Sequence, residues 1–232
     1  VADWKMTFIV LAILTGVSLA GAFLLQETLP AKERTQSSTI QTILGLRKVA
    51  KNPNFSSLLL VGAFISAPFM AYLALASYIY IDGFGVSETA FSMYFASNAA
   101  ASILGPVMYM RFGAGSVKKV ISAGIIVAII SAILILTIGN AGPIIFLLSY
   151  VLYSIMTSYF RPLISDLLLS ATKTDVGATS SVMNFGFTVI GSIGMVVGSM
   201  QWSSYTGGLG ITMLIFIALT TIVWLYLLKA KS

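Results

Sequence analysis

Cysteine and histidine are both absent from this 232-residue sequence. The lack of cysteine excludes disulfides, thiolate metal sites and thiol nucleophiles. The lack of histidine removes the side chain that most often binds metals or carries protons near neutral pH. The apolar runs described below also contain no paired acids, so they lack the means to activate a nucleophile or hold a metal. We therefore expect no enzyme, no metal site and no cofactor.

Charged residues are also scarce. Only 9% of the residues are charged, 58% are hydrophobic, and the mean hydropathy is +0.98. A soluble domain carries about 25% charged residues, which solvate its surface. A chain this apolar would expose more hydrocarbon than water tolerates, so we expect a lipid bilayer to surround it.

The sequence has long apolar runs instead. A helix needs roughly 20 apolar residues to cross ~30 Å of hydrocarbon, and only helices or closed barrels satisfy their backbone there. The runs are continuous and do not alternate, which favours helices. We predict an all-α integral membrane protein with seven transmembrane helices. They cover residues 5–26, 56–81, 89–109, 120–138, 144–169, 178–200 and 207–228.

The basic residues between these runs predict how the chain is oriented. Eleven of them fall on one side of the membrane, and only Lys5 falls on the other. By the positive-inside rule that side is cytoplasmic, so the N-terminus is outside and the C-terminus inside a cell (inner) membrane. The net charge of +6 is then a topology signal, and we expect no nucleic-acid partner. The eleven are Lys32, Arg34, Arg47, Lys48, Lys51, Arg111, Lys118, Lys119, Lys173, Lys229 and Lys231.

The first span and the connection after it suggest a longer protein. The chain begins at Val1, and its first run is too long for a signal-peptide core and ends without a small-residue cleavage site. We therefore expect sequence upstream of a true first span. The connection over residues 30–54 is either an amphipathic helix at the cytoplasmic interface or a solvated basic linker.

Three of the predicted spans carry polar or small residues at helical spacing. The second span contains two tyrosines. The fourth and seventh spans are apolar almost all round, and we expect those two to face lipid. Spans two to four and five to seven then share one order, which is expected of two inverted repeats around a central cavity. The stripes are Phe91, Phe95, Asn98, Ser102 and Gly105; Ser154, Ser158, Arg161 and Ser165; and Gly177, Ser181, Asn184, Thr188 and Gly191.

Packing is the competing explanation of these stripes. Small residues let membrane helices approach closely, and we expect Gly194 and Gly198 to serve that purpose. Arg161 differs, because a charge inside the membrane costs at least ~2.5 kcal/mol and normally faces a bundle interior or water. Its alternative is to extend to the interface. Asn98 and Asn184 are open between cavity lining and interhelical hydrogen bonding.

Five segments follow one another in order along the chain. They are Asp3-Trp4-Lys5, Glu27-Thr28-Leu29-Pro30-Ala31-Lys32-Glu33-Arg34, Tyr78-Ile79-Tyr80-Ile81-Asp82-Gly83-Phe84-Gly85-Val86-Ser87, Arg111-Phe112-Gly113 and Val176-Gly177-Ala178-Thr179-Ser180-Ser181. Together they resemble the major facilitator superfamily, and most closely its Bcr/CflA-type drug:proton antiporters. The Arg111-Phe112-Gly113 turn is similar to the superfamily's basic turn between helices eight and nine, although Met110 stands where the fuller motif has Asp.

The resemblance implies that the seven spans are helices six to twelve of such a transporter. Residues 1–29 would be the last helix of the N-terminal half, 30–54 the cytoplasmic interdomain linker, and 55–232 the C-terminal six-helix domain. It implies proton-coupled export of small amphipathic molecules or drugs by alternating access, with the missing N-terminal half, the bilayer, the substrate and protons as partners.

The candidate site follows from the polar residues and from the resemblance. We predict that Asp166 takes part in charge coupling and that Arg111 and Gly113 form a cytoplasmic gate or turn. The predicted cavity residues are Tyr72, Asn98, Ser158, Arg161, Asn184 and Thr188.

Three other functions remain open at this point. A uniporter or symporter for a metabolite within the same superfamily is the nearest, because fold does not fix substrate or direction. A seven-helix receptor has the same topology, but the chain has no cysteine pair for its outer loops and no lysine in its last span for a retinal Schiff base. A non-transporting membrane subunit is the third.

Overall fold

The computed structural model describes residues 4–24, 46–47, 49–113, 115–171 and 176–230. The chain divides into two compact units, Val1–Gln41 and Thr42–Ser232. The first unit contains α1, Trp4–Phe23, and its side chains from Lys5 onward are exposed. The predicted interfacial helix around Ile40 and Leu44 lies outside the described residues.

The described part of the second unit consists of helices joined by short turns and loops. Residues 46–47 and 49–50 are helical, and seven α-helices, one π-helix and one 3₁₀ turn follow them among the described residues. They are α2 (Pro53–Ser77), the π-helix Tyr78–Gly83, α3 (Glu88–Ser102), α4 (Leu104–Phe112), α5 (Val117–Ile138), the 3₁₀ turn Gly139–Ala141, α6 (Pro143–Ala171), α7 (Val176–Gly198) and α8 (Tyr205–Ala230).

Six helical segments of the described chain are long and apolar enough to cross a membrane. The prediction of an all-α membrane protein is therefore confirmed at this level. The six are Lys5–Phe23, Pro53–Gly83, Val117–Ala141, Pro143–Ala171, Val176–Gly198 and Tyr205–Lys229.

The predicted span over residues 89–109 is divided between α3 and α4, with a break at Ile103. Pro106 explains the break, because it has no N–H to donate and its ring clashes with the carbonyl group of Ser102, four residues earlier. At the break the Ile103 N–H bonds to the Ala100 carbonyl at 3.2 Å, three residues back. Neither half alone has the length of a span, so the number of seven spans stays a prediction.

Local sequence signals set the beginning of α2. The Asn52 side chain accepts hydrogen bonds from the N–H groups of Asn54 at 3.1 Å and Phe55 at 3.3 Å. This N-cap and Pro53 in the first turn start the helix. The helix continues through Pro68, and beyond Ser77 it becomes the π-helix.

Helix α2 is the central element of the second unit. It packs most extensively against α7, then against α8 and α6, while α3 and α4 pack on α6. A Cβ atom at Gly194 would collide with the Ala67 carbonyl, and one at Gly198 would lie 2.9 Å from the Ala71 Cβ. The prediction that Gly194 and Gly198 allow close packing is confirmed.

Helices α5 and α8 pack against each other, and each buries one face. Their exposed faces are apolar, as the predicted contact with lipid requires. Ile126, Ile133, Ile222 and Leu225 are all about half exposed or more.

Candidate functional site

A cavity of about 210 Å³ lies between α2, α4 and α6. Two of the six predicted cavity residues, Ser158 and Arg161, line it. Helix α2 contributes one hydroxyl and two large apolar side chains, and α4 contributes a proline. The full lining is Ser66, Phe69, Met70, Pro106, Thr157, Ser158, Arg161 and Pro162.

Arg161 is the charged group of this cavity. Its guanidinium carbon lies 5.1 Å from the centre of the Phe187 ring on α7, within the range of a cation–π contact. The side chain is exposed, and among the described residues no carboxylate is paired with it. The aromatic contact therefore orients the cation, and its charge is left unneutralised.

The stripe on α6 divides into a packing part and a cavity part. The Ser154 hydroxyl lies 2.6 Å from the Ser102 hydroxyl of α3. A Cβ at Gly105 would lie 2.5 Å from the Ile155 carbonyl oxygen and 2.8 Å from the Ser158 carbonyl carbon. The predicted stripes of spans three and five thus pack on each other at this level.

The stripe on α7 exposes Asn184 and Thr188, which form their hydrogen bonds within the helix, while its last member, Gly191, is buried. The Asn184 amide donates to the Ser180 carbonyl at 3.0 Å, Thr188 donates to the Asn184 carbonyl at 2.8 Å, and Ser192 to the Thr188 carbonyl at 2.9 Å. Phe187, which Arg161 contacts, belongs to the same turns. The guanidinium therefore lies against the segment of α7 that carries Asn184 and Thr188.

A model of the Major Facilitator Superfamily matches residues 1–195 of the chain. The chain belongs to this superfamily. It is also 29% identical over 202 residues to "Uncharacterized MFS-type transporter YdgK" from Bacillus subtilis (strain 168). The alignment covers 83% of the chain and 49% of the relative, so the chain spans about half the length of the curated relative it matches.

Membership of the major facilitator superfamily confirms the broader part of the resemblance. It identifies a multi-pass membrane protein of a transporter superfamily. Within the described residues no group of three or more His, Cys, Asp or Glu side chains is placed to hold a metal ion.

Two of the predicted cavity residues, Tyr72 and Asn98, are buried in the interior of the second unit. Tyr72 is 1% exposed, and its ring stacks on Tyr150 with centres 4.1 Å apart. Asn98 is 4% exposed, and its side-chain oxygen has no hydrogen-bond partner in the described part of the chain. Both belong to the buried interior of the unit and do not line the cavity.

The predicted charge-coupling and gate residues lie at the ends of α4 and α6. Asp166 is exposed and accepts a hydrogen bond from the Tyr109 hydroxyl at 3.1 Å. Gly113 ends α4 with a φ of 64°, in the region that favours glycine, and its carbonyl accepts from the Tyr159 hydroxyl at 2.6 Å. Arg111 is exposed, in the last turn of α4.

Sequence reasoning missed Ser66, Thr157 and Phe187. Ser66 is a single hydroxyl in an apolar run and donates to the Gly62 carbonyl of its own helix, so its sequence context reveals no stripe. Phe187 was hidden because an aromatic residue in an apolar helix usually indicates only packing. Thr157 directly precedes Ser158, so it falls outside the helical spacing of Ser154, Ser158 and Arg161 that predicted the stripe.

Proposed function

We propose that this chain is the C-terminal part of a Bcr/CflA-type exporter that exchanges small amphipathic molecules for protons. Its N-terminus lies outside and its C-terminus in the cytoplasm of a cell (inner) membrane. The first helix ends an N-terminal half that the complete transporter supplies. Residues 30–54 link the halves, and 55–232 form the second half.

The observation that carries the proposal is the unpaired Arg161 in a cavity within the membrane region. Placing a charge there is costly, and such residues mark substrate or ion pathways. Because no described carboxylate neutralises Arg161, a bound anion gains a charge-assisted hydrogen bond without breaking an existing ion pair.

The lining of the cavity selects an amphipathic ligand. Phe69, Met70 and Pro106 offer an apolar wall, while Ser66 and Ser158 add hydroxyl groups. Small-molecule sites are mostly apolar with a few placed polar groups, and their usual volume is about 300–1,000 Å³. A cavity of about 210 Å³ is smaller, which suits one wall of a site completed by the opposite half. We infer an amphipathic organic anion as substrate.

The exposed polar stripe of α7 supports an interface with that opposite half. Asn184 and Thr188 are exposed, and lipid is a poor neighbour for polar side chains. A stripe that faces the second half across a water-filled cavity fits alternating access by rocking of the two halves. Tyr72 and Asn98 are buried in this structure, so their proposed role as cavity residues requires a conformation in which the aromatic packing opens.

Asp166 is our candidate for the proton-coupling residue of this half. Replacing Asp166 by asparagine is expected to abolish gradient-driven accumulation while leaving substrate exchange in the absence of a gradient. The matched control is Tyr109→Phe, which keeps the carboxylate and removes one hydrogen bond of about 1 kcal/mol. Both activities are measured in proteoliposomes, and gradient-driven accumulation that survives in Asp166→Asn contradicts this role.

The proposed function is tested with the complete transporter in inside-out vesicles. A proton gradient is imposed, and uptake of a panel of amphipathic anions, cations and neutral dyes is measured together with proton release. The expected result is uptake of anionic members that collapses with the gradient and in turn dissipates it. Uptake that ignores the gradient would contradict antiport and favour the uniporter, and uptake driven by the opposite gradient would favour the symporter.

A further inference from the structure

A second concave surface lies on another side of α6, between α4, α5 and α6. It is a groove of about 440 Å³, and it differs from the Arg161 cavity in being almost wholly apolar. Its lining contains one hydroxyl group, that of Tyr159, which donates a hydrogen bond to the Gly113 carbonyl. The groove is lined by Met108, Phe112, Val120, Ala123, Gly124, Val127, Leu152, Ile155, Met156, Tyr159 and Phe160.

Basic side chains stand at one end of this groove. Arg111 directly precedes the groove residue Phe112, and Lys119 directly precedes the groove residue Val120. Both are exposed, and neither forms an ion pair with the described part of the chain. Lys118 lines a separate cavity on another side of α5. The carboxylate of Asp166, on α6, accepts a hydrogen bond from the Tyr109 hydroxyl. The end of the groove at the turn between α4 and α5 is therefore positively charged.

We propose that this groove binds one anionic phospholipid. An acyl chain lies along the apolar lining, and the head-group phosphate lies at Arg111 and Lys119. The apolar part matches because each buried methylene of a lipid chain contributes about 0.8 kcal/mol. The charged part matches because basic clusters at a membrane surface attract anionic head groups.

The test measures lipid retention by the complete transporter in native mass spectrometry, after reconstitution in equal parts phosphatidylglycerol and phosphatidylcholine. The wild type is expected to retain phosphatidylglycerol preferentially. The double variant Arg111→Gln, Lys119→Gln is expected to lose that preference, by about fivefold for each cation removed. Lys51→Gln with Lys229→Gln is the control, because these exposed basic residues do not line the groove.

A second variant tests the apolar part separately. Ala123 is exposed at the groove, so Ala123→Phe adds volume there without entering the core, and it is expected to reduce retention of both lipids. Unchanged phosphatidylglycerol preference in the double variant would overturn the proposal. So would displacement of the lipid by soluble glycerol phosphate, since that would indicate a site for the free phosphate group alone.

Discussion

Replacing Arg161 by glutamine is expected to lower uptake of an amphipathic anion by about 10- to 100-fold, because a hydrogen bond to a charged group contributes about 1.5–3 kcal/mol. Glutamine keeps a polar side chain, although a shorter one, and removes the charge. The cation–π contact between Arg161 and the Phe187 ring is lost, but the Phe187 side chain stays buried. Initial uptake rates in vesicles with a fixed proton gradient measure the effect.

Arg161→Lys is the matched control for this prediction. It keeps the positive charge and loses the planar fork of the guanidinium, so transport of an anion should be intermediate between wild type and Arg161→Gln. Uptake of neutral dyes should change little in either variant. If Arg161→Gln transports anions at the wild-type rate while it is present at normal abundance, Arg161 has no role in the cavity and the anionic substrate class is lost.

The second large effect is expected at Gly105, where α4 and α6 approach most closely. An alanine there would place its Cβ 2.5 Å from the Ile155 carbonyl oxygen and 2.6 Å from the Tyr159 nitrogen. Both are backbone atoms of a long helix, so the helices must separate. Overpacking costs about 1–3 kcal/mol. We expect a lower melting temperature in detergent and reduced transport, because Pro106 and Ser158 line the cavity beside this contact.

Gly191→Ala provides the comparison for Gly105→Ala. Gly191 is also buried in a helix, but the Cβ built there meets the Met70 Cγ at 3.0 Å. A methionine side chain is flexible and yields easily. This variant should therefore melt close to the wild type. Equal melting temperatures for the wild type and the Gly105→Ala variant would contradict the close approach of α4 and α6.

The membrane class and most helices were predictable because apolar length alone decides them. The break at Ile103 was not predicted, although Pro106 was visible in the sequence, because a proline inside a membrane helix is often accommodated. Pro68 shows the opposite outcome, since α2 continues through it. Sequence therefore locates such a residue but does not give the response of the helix, which depends on its neighbours.

The candidate site was predictable only in part. Arg161 was identified because a charge inside an apolar run has few explanations, and it lines the cavity. Tyr72 has an aromatic ring and a hydroxyl, and both suit a cavity and a core equally, so its burial against Tyr150 could not be read from the sequence. The pairing of Ser102 with Ser154 was also invisible, because helix periodicity gives a face but not the helix that it meets.

Substrate protection of engineered cysteines tests most directly whether the transported anion occupies the Arg161 cavity. The chain has no cysteine, so Ser158→Cys places a single thiol in the cavity, once any cysteine elsewhere in the transporter is replaced. Ser170→Cys, exposed near the end of the same helix and outside the cavity lining, is the control. We predict that a transported anion slows maleimide labelling at position 158 and leaves labelling at position 170 unchanged. Equal labelling rates at position 158 with and without saturating substrate would contradict it.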